Sequence, residues 1–214
     1  MMEPMSVTTS RVAAGYDAVA DRYDSAYDDP VSRAEDDALF GLISRTIDVR
    51  RARILDAGCG TGLAAERLQP PPRNSLGIAI SREMLRRARA KLPAYHFIRA
   101  DMDRLDEEVP PGEYDAVLCL YETFGYSRDP AALLRAFHRR LAPGGTLVAM
   151  AITFRRMASA AHTNSWSAGV VPSGRPYTAL ELGALGWGHG FEDARVAGLN
   201  WKLSVVAKVA PAGA

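Results

Sequence analysis

Residues 54–62 read Ile-Leu-Asp-Ala-Gly-Cys-Gly-Thr-Gly, a short apolar run followed by three glycines in alternate positions. Residues 53–57 predict a buried strand and residues 63–68 predict a helix, so the glycines lie in a strand-to-helix turn. Glycine permits a positive φ and lets a ligand approach the backbone closely. The helix that follows presents unpaired N–H groups to a negative ligand. The glycine pattern by itself also fits an ordinary turn that binds nothing.

Strand-like and helix-like segments alternate along the rest of the chain. Strands are predicted at 53–57, 75–80, 95–100, 114–120, 146–150, 191–197 and 201–209. Helices are predicted over 9–27 and 63–68, and from residues 32, 82, 130 and 179. The alternation indicates βαβ units and a mostly parallel sheet. Residues 101–113 are expected to form a loop with at most one helical turn.

Four helix starts carry capping signals, and Ser81 can cap the helix that follows the second predicted strand. Ser32 with Glu35, and Thr178 with Glu181, match the capping box. Asp129 stands directly before Pro130, the favoured order of a capping side chain and a first helical residue. These pairs predict where the corresponding helices begin.

Composition excludes several classes of protein. The 214 residues carry 26 basic and 25 acidic side chains, with no basic excess of the kind that binds nucleic acid. Residues 1–9 lack the apolar core of a signal peptide, and no apolar run is long enough to span a membrane. Two cysteines make no disulfide framework, and no His, Cys, Asp or Glu cluster has metal-ligand spacing. We expect a soluble cytoplasmic protein without a metal, in which Cys59 and Cys119 are small buried residues.

The order Asp-Ala-Gly-Cys-Gly-Thr-Gly after the first strand resembles the signature loop of class I S-adenosylmethionine-dependent methyltransferases. Residues 77–85, 100–102, 114–117 and 141–147 are similar to later motifs of that family, in the right order. The resemblance covers residues 15–209. It implies a Rossmann-like α/β fold with a seven-stranded, mostly parallel sheet, its last strand antiparallel, and helices on both faces.

The resemblance also implies one domain over 1–214. Its parts would be an N-terminal helical cap at 9–47, a cofactor-binding core at 53–150, a lid or loop at 151–177, and a C-terminal helix with two strands at 178–209. The implied cofactor is S-adenosylmethionine. Its binding residues would be Tyr16, Tyr23, Asp56, Ala57, Gly58, Cys59, Gly60, Ala79, Ile80, Asp101, Met102 and Leu120.

Individual roles follow from the same resemblance. Asp56 would organise the ammonium group of the methionine half, and Asp101 would accept a hydrogen bond from the adenine amino group. The Met102 backbone would meet the edge of the adenine ring. Tyr16 and Tyr23 are candidates for a lid over the cofactor, although plain packing against the core explains each of them equally well.

Ala79 departs from the family pattern. The second strand of the family normally ends in Asp or Glu, whose carboxylate binds both ribose hydroxyls, and a methyl group cannot do this. Losing a hydrogen bond to a charged group costs about 1.5–3 kcal/mol, which is roughly 10- to 100-fold in affinity. Three interpretations stay open. The cofactor binds more weakly but well enough, the cofactor is chemically altered or bound in a different pose, or the domain transfers no methyl group. Glu83, a turn later, is in the wrong register for a direct substitute.

Two residues are candidates for catalysis. Glu122 follows the fourth predicted strand in an unusually polar and aromatic stretch, residues 121–126. It can serve as a general base, hold a cationic amine, or make a loop hydrogen bond. His162 lies in the irregular segment 154–177, where a lid would cover the substrate. Alignment of an acceptor with the methyl group can also supply much of the rate without a base.

The predicted activity is methyl transfer by direct displacement to an oxygen, nitrogen or carbon of a small molecule, in a monomer or homodimer that binds neither nucleic acid nor membrane. One rival is a cyclase or isomerase that keeps the methyltransferase fold. The other is a non-catalytic protein that binds the cofactor. Ala79 motivates both rivals.

Overall fold

A computed structural model describes residues 9–153, 170–172, 174–199 and 202–210. The described residues form one seven-stranded sheet in the order β3-β2-β1-β4-β5-β7-β6. The strands are β1 (Ile54–Ala57), β2 (Ser75–Ala79), β3 (His96–Arg99), β4 (Tyr114–Cys119), β5 (Leu141–Ile152), β6 (Phe191–Leu199) and β7 (Lys202–Val209). β7 pairs antiparallel with both β5 and β6, while β1 to β5 are parallel to their neighbours. The predicted sheet is confirmed.

Helices surround this sheet. They are α1 (Thr9–Val19), α2 (Tyr23–Ala26), α3 (Pro30–Thr46), α4 (Leu63–Leu68), α5 (Arg82–Lys91), α6 (Leu105–Glu108), α7 (Pro130–Arg140) and α8 (Ala179–Trp187). Short 3₁₀ turns cover Ala20–Arg22, Pro72–Asn74, Met102–Arg104 and Thr123–Tyr126. The predicted helix at 9–27 is therefore broken by a 3₁₀ turn between α1 and α2.

Apolar side chains fill the core on both faces of the sheet. On one face Leu133 and Phe137 of α7 and Leu182 of α8 join a buried cluster with β1, β4 and β5. On the other face, Phe40 and Ile43 of α3 pack against the same three strands. Burial of this kind stabilises a fold by about 25 cal/mol for each Å² of apolar surface removed from water. The two-sided covering explains why the central strands are almost continuously apolar.

The sheet places the carboxyl ends of its parallel strands at one edge. β1 lies between β2 and β4. The strands that follow β1 are therefore added first on one side of it, as β2 and β3, and then on its other side, beginning with β4. This reversal of strand order opens a crevice outside the carboxyl ends, where open α/β sheets bind their ligands. The glycine turn after β1 stands at that crevice.

The predicted start of the second helix is wrong. Ser32 and Glu35 do not form a capping box, because α3 begins at Pro30 and Asp29 is its N-cap. The Asp29 carboxylate accepts hydrogen bonds from the backbone N–H groups of Val31 and Ser32. Proline lacks an N–H and has its φ preset, so it occupies the first helical position and moves the cap upstream.

The other three capping signals are confirmed. The Ser81 hydroxyl caps α5 by accepting the N–H of Met84. Thr178 and Glu181 form a reciprocal capping box at α8. The Asp129 carboxylate accepts a hydrogen bond from the N–H of Ala132 at α7.

Two other boundaries differ from prediction. Residues 101–113 contain two helical turns, Met102–Arg104 and Leu105–Glu108, rather than at most one. β5 runs from Leu141 to Ile152 and is longer than the predicted strand at 146–150, because Leu141 pairs with Tyr114 of β4 and pairing with β7 continues to Ile152. Residues 151 and 152 therefore belong to the sheet and not to the predicted lid.

Candidate functional site

The glycine turn after β1 combines left-handed backbone with close packing. Gly58, Gly60 and Gly62 all have positive φ, at +93°, +53° and +85°. A Cβ built on Gly58 would lie 2.2 Å from the Thr123 side chain, so only glycine fits there. A Cβ on Gly60 would meet no protein atom within 4 Å. The turn thus leaves open space beside its backbone, as a ligand-binding turn requires.

Asp56 is a buried carboxyl group at this crevice. It is 6% exposed, and burial raises its pKa to about 7. None of the described residues donates a hydrogen bond to its carboxylate, and no neighbouring cation counters the effect of burial. A buried carboxyl without a partner needs a compensating cation or donor. An ammonium group from a ligand would supply that partner.

The N-terminal helices are tied to the turns that follow four successive strands. Each tie is a side-chain hydrogen bond across the crevice. The pairs are Asp24 with Thr61 after β1 (2.5 Å), Asp17 with Ser81 after β2 (2.6 Å), Thr9 with Asp101 after β3 (3.0 Å), and Tyr16 with Tyr126 after β4 (3.1 Å). Because all four ties lie at the carboxyl edge of the sheet, residues 9–24 cap the crevice.

Tyrosine rings pack against one another on this cap. Tyr16 makes edge contacts with Tyr23 and with Tyr126, each at a centroid distance of 6.0 Å. Tyr23 in turn packs against Tyr27 at 5.2 Å. The rings of Tyr16 and Tyr23 therefore lie on the cap, as expected, and their contact with a cofactor stays a prediction.

Asp101 follows β3 and holds several groups together. Its Oδ1 accepts the N–H of Asp103 at 3.0 Å, and so caps the 3₁₀ turn that begins at Met102. Its Oδ2 accepts from Thr9 at 3.0 Å and from the guanidinium of Arg128 at 3.2 Å. These contacts fix the carboxylate at the rim of the crevice, and its hydrogen bond to adenine stays a prediction.

The exit from β4 is strained and polar. Tyr121 adopts a positive φ of +57°, which is unfavourable for a residue with a bulky side chain. Backbone strain of this kind clusters at functional sites. The next residue is Glu122, whose Oε2 lies 3.2 Å from the Tyr126 hydroxyl. Glu122 makes no side-chain cap to the 3₁₀ turn, and its hydrogen bond with Tyr126 fits the loop role considered for it.

Tyr126 connects three parts of the molecule. Its hydroxyl lies 3.1 Å from that of Tyr16 and 2.9 Å from the carbonyl oxygen of Pro172. The segment around Pro172 returns over the β4 exit, where Arg175 donates its N–H to the carbonyl of Gly125. Burial raises the pKa of the Tyr126 phenol, which stays protonated and able to donate.

The other predicted cofactor residues line or adjoin the same edge. Ala57 ends β1 and Cys59 is buried in the glycine turn. Ala79 ends β2 with an exposed fraction of 8%, and Ile80 follows it. Leu120 is buried directly after β4. His162 lies outside the described residues, so its catalytic role remains a prediction.

The two cysteines behave as buried apolar residues. Burial raises the pKa of the Cys59 thiol and of the Cys119 thiol, which disfavours the reactive thiolate. Within the described ranges, no group of three or more His, Cys, Asp or Glu side chains could hold a metal ion. The same ranges contain no helix both long and apolar enough to cross a membrane.

Sequence reasoning missed Asp17, Thr9 and Tyr126 as members of the site. Each joins the site through a partner more than 60 residues away, and no local pattern reports such a contact. Only Asp17 carried a local signal, because its carboxylate directly follows Tyr16 on a helix expected to form a cap.

Comparison with known proteins agrees with this geometry. Residues 54–145 match a family model described as a methyltransferase domain. The malonyl-[acyl-carrier protein] O-methyltransferase of Hamiltonella defensa is 27% identical over 144 residues, 67% of this chain and 52% of that protein. The ubiquinone biosynthesis O-methyltransferase of Xylella fastidiosa is 34% identical over 110 residues, 49% of this chain and 44% of that protein. The chain thus spans about half the length of these curated relatives.

A solved structure extends the likeness to the whole fold. The [4+2]-cyclase SpnF has a TM-score of 0.73 over 97% of this chain and 98% of that one, at 19% identity. At this identity the likeness concerns the fold and not the reaction.

Proposed function

We propose that this chain is a class I S-adenosylmethionine-dependent methyltransferase, which binds S-adenosylmethionine in the capped crevice and methylates a small molecule. The observation that carries the proposal is the glycine turn, which leaves open space at Gly60 and follows the buried carboxyl of Asp56, to which no described residue donates a hydrogen bond. These two features suit an amino-acid ligand that presents an ammonium group.

The residues of the crevice fit the cofactor at both of its ends. Asp56 would hold the ammonium, and the backbone of Gly58 and Gly60 would lie along the methionine half. Asp101 and Met102 would meet adenine beyond β3, with Ile80 and Leu120 at the sides. Tyr16 and Tyr23 would cover the bound molecule from the cap. S-adenosylmethionine would supply, when bound, a methyl group on a positively charged sulfur, which leaves as the neutral thioether of S-adenosylhomocysteine when a nucleophile attacks the methyl carbon.

The acceptor would bind between the β4 exit and the cap. Glu122, whose Oε2 lies 3.2 Å from the Tyr126 hydroxyl, would take the proton from an acceptor hydroxyl as the hydroxyl oxygen attacks the methyl carbon. General base catalysis contributes about 10²- to 10⁴-fold. The cap would exclude water from the crevice. Oxygen is the favoured acceptor atom because the curated relatives that we compared carry O-methyltransferase names.

The cyclase rival has one specific observation in its favour. The fold neighbour SpnF is named as a [4+2]-cyclase, and Ala79 removes the ordinary ribose carboxylate. In such a protein the cofactor would be a scaffold rather than a methyl donor. Conversion of a substrate without formation of S-adenosylhomocysteine would favour this rival over methyl transfer.

A cytoplasmic location suits the proposal. Both cysteines are buried, unpaired thiols, as is usual in a reducing compartment.

Calorimetric titration with S-adenosylmethionine and S-adenosylhomocysteine tests the binding step first. We expect micromolar dissociation constants for both ligands. Small phenols and carboxylic acids are then offered as acceptors, and their methylated products are followed by mass spectrometry together with S-adenosylhomocysteine. Absence of binding at millimolar ligand would refute the proposal.

Glu122→Gln tests the assigned base. The kcat should fall by about 10²-fold or more while the affinity for S-adenosylhomocysteine stays unchanged. Glu113→Gln is the matched control, because Glu113 is exposed at the other end of β4. Equal kcat values for the two variants would show that Glu122 is not the base.

A further inference from the structure

We propose that Asp17, on the N-terminal cap, supplies the carboxylate that binds the ribose hydroxyls of S-adenosylmethionine, in place of the acid that β2 lacks. The inference rests on the proposed function. It assigns cofactor recognition to a residue of α1, whose carboxylate contacts the turn after β2.

β2 itself offers no hydrogen-bonding side chain at its end. In nucleotide-binding α/β folds, an Asp or Glu about 20 residues after the glycine turn binds the ribose hydroxyls. Ala79 stands at this point, at the carboxyl end of β2. Its methyl group is 8% exposed and packs with Leu85 and Ala88 of α5. A ribose seated here would lack its usual acceptor unless another element provides one.

Asp17 brings a carboxylate to this place. Its Oδ1 accepts a hydrogen bond from the Ser81 hydroxyl at 2.6 Å and another from the N–H of Glu83 at 2.9 Å. Ser81 is two residues beyond Ala79, so their Cα atoms are at most about 7 Å apart. The Asp17 carboxylate therefore meets the turn that directly follows the position where the strand acid would stand.

One oxygen of Asp17 remains available. Both hydrogen bonds that it accepts go to Oδ1, and no donor in the described part of the chain reaches Oδ2. Asp17 as a whole is half-buried. Ser81 is itself buried and also accepts the N–H of Met84, which fixes the orientation of the pair. A held carboxylate with one free oxygen is a preorganised acceptor for a hydroxyl group.

The neighbouring acids are engaged on the outer surface. Glu83 pairs with Arg86 at 2.7 Å. Asp21, one turn after Asp17 on the chain, pairs with Arg87 at 2.5 Å and is largely exposed. Both carboxylates are therefore paired with arginine side chains. Asp17, by contrast, accepts its hydrogen bond from Ser81, which is buried.

A ribose contact from the cap has a functional consequence. Asp17 lies on α1, which also carries the ties of Thr9 and Tyr16 to the turns after β3 and β4. Binding of the ribose would then hold the cap closed, whereas an acid on β2 would leave the cap free. Binding of the ribose by Asp17 would therefore be coupled to closure of the cap over the cofactor.

The test compares two ligands on two proteins by calorimetry. The ligands are S-adenosylhomocysteine and its 2′,3′-dideoxy analogue, which lacks both ribose hydroxyls. Asp17→Asn keeps an oxygen that can accept from Ser81 and Glu83, so the start of α5 stays capped. We expect the variant to bind S-adenosylhomocysteine about tenfold more weakly, because a charged acceptor is replaced by a neutral one. The two proteins should bind the dideoxy analogue equally.

Two further variants complete the test. Asp21→Asn is the matched control on the same helical region and should leave both affinities unchanged. Adding Ala79→Asp to Asp17→Asn should restore the affinity for S-adenosylhomocysteine, since the acid then stands on β2.

Three results would overturn the inference. Equal weakening of both ligands by Asp17→Asn would show a purely structural cap, and no weakening of either would show that Asp17 does not meet the ribose. Failure of the native protein to bind S-adenosylhomocysteine at all would refute the proposed function, and this inference with it. Titration of the native protein with S-adenosylhomocysteine is enough to tell failure of the proposed function from the two results that concern Asp17→Asn.

Discussion

The phenol oxygens of Tyr16 and Tyr126 lie 3.1 Å apart, although 110 residues separate them in the chain. Tyr126 also contacts Glu122 at 3.2 Å and donates to the carbonyl of Pro172 at 2.9 Å. One side chain therefore joins the cap, the β4 exit and the segment that returns after β5. Its removal should loosen all three together.

Tyr126→Phe tests this junction. The ring stays in place, but the hydroxyls and carbonyl around it lose a partner in a buried site. We expect a loss of about 1–3 kcal/mol in the free energy of unfolding, or a fall of several degrees in Tm for a protein of this size. Limited proteolysis should also cut the N-terminal helices faster, because the cap opens more often.

Tyr95→Phe is the control for that experiment. Its hydroxyl also donates to a backbone carbonyl, that of Pro70, at 2.9 Å, but lies away from the cap. The control should lower Tm without changing the rate of cleavage near the N-terminus. Identical proteolysis of the two variants would contradict a closing role for Tyr126.

Gly60→Ala separates folding from binding at the glycine turn. The new Cβ meets no protein atom within 4 Å, so the cost is limited to the left-handed backbone, about 1–2 kcal/mol. The methyl group would enter the space assigned to the cofactor. We expect a folded protein that binds S-adenosylhomocysteine at least tenfold more weakly, measured by calorimetry.

Gly58→Ala gives the contrasting case. Its Cβ would overlap the Thr123 side chain, so the turn must shift, and both stability and binding should fall. Native affinity in Gly60→Ala would mean that the cofactor does not lie along this turn.

The sheet and the glycine turn were predictable because their signals are local. Strand periodicity, the alternation of elements and the capping residues at Asp129 and Thr178 each lie within a few neighbouring positions. The seven-stranded arrangement itself came from a family resemblance rather than from those patterns. The start of α3 was misplaced because two capping signals competed, and the nearby proline decided between them.

The cap contacts were not predictable from the sequence alone. Asp17 and Ser81 are 64 residues apart, and Thr9 and Asp101 are 92 apart. Which side chains meet across such distances depends on how α1 is rotated against α5, and helix periodicity leaves that rotation open. A pair that spans the crevice becomes visible only in the folded chain.

Asp56→Asn should change the pH dependence of stability. Burial raises the pKa of Asp56 to about 7, whereas an unfolded aspartate titrates near 3.9. At pH below about 4 the carboxyl is protonated in both states and has no effect on stability. Between about pH 4 and pH 7 the unfolded state loses its proton first, so this group makes the native protein less stable as pH rises. The destabilisation is complete above about pH 7.

The measurement is urea unfolding of both proteins at several pH values. We expect Asp56→Asn to gain on the native protein between pH 4 and pH 7, by up to about 4 kcal/mol for a shift of about three units. The same variant should bind S-adenosylhomocysteine more weakly at pH 8, because the ammonium loses its carboxylate. A constant difference in stability across this range would contradict the raised pKa.

Gly15→Ala and Gly41→Ala form a matched pair that probes how the cap meets the returning segment. Both glycines lie inside helices, where alanine is intrinsically better by about 1 kcal/mol. At Gly41 the new Cβ would contact only the mobile guanidinium of Arg45 at 3.3 Å, so Tm should rise by about 2–4 °C. At Gly15 it would lie 2.6 Å from the carbonyl oxygen of Val170, a backbone atom that must move, so Tm should fall. If Gly15→Ala raised Tm as much as Gly41→Ala, α1 would not be packed against residues 170–172 in solution, because nothing else opposes the gain in helix propensity.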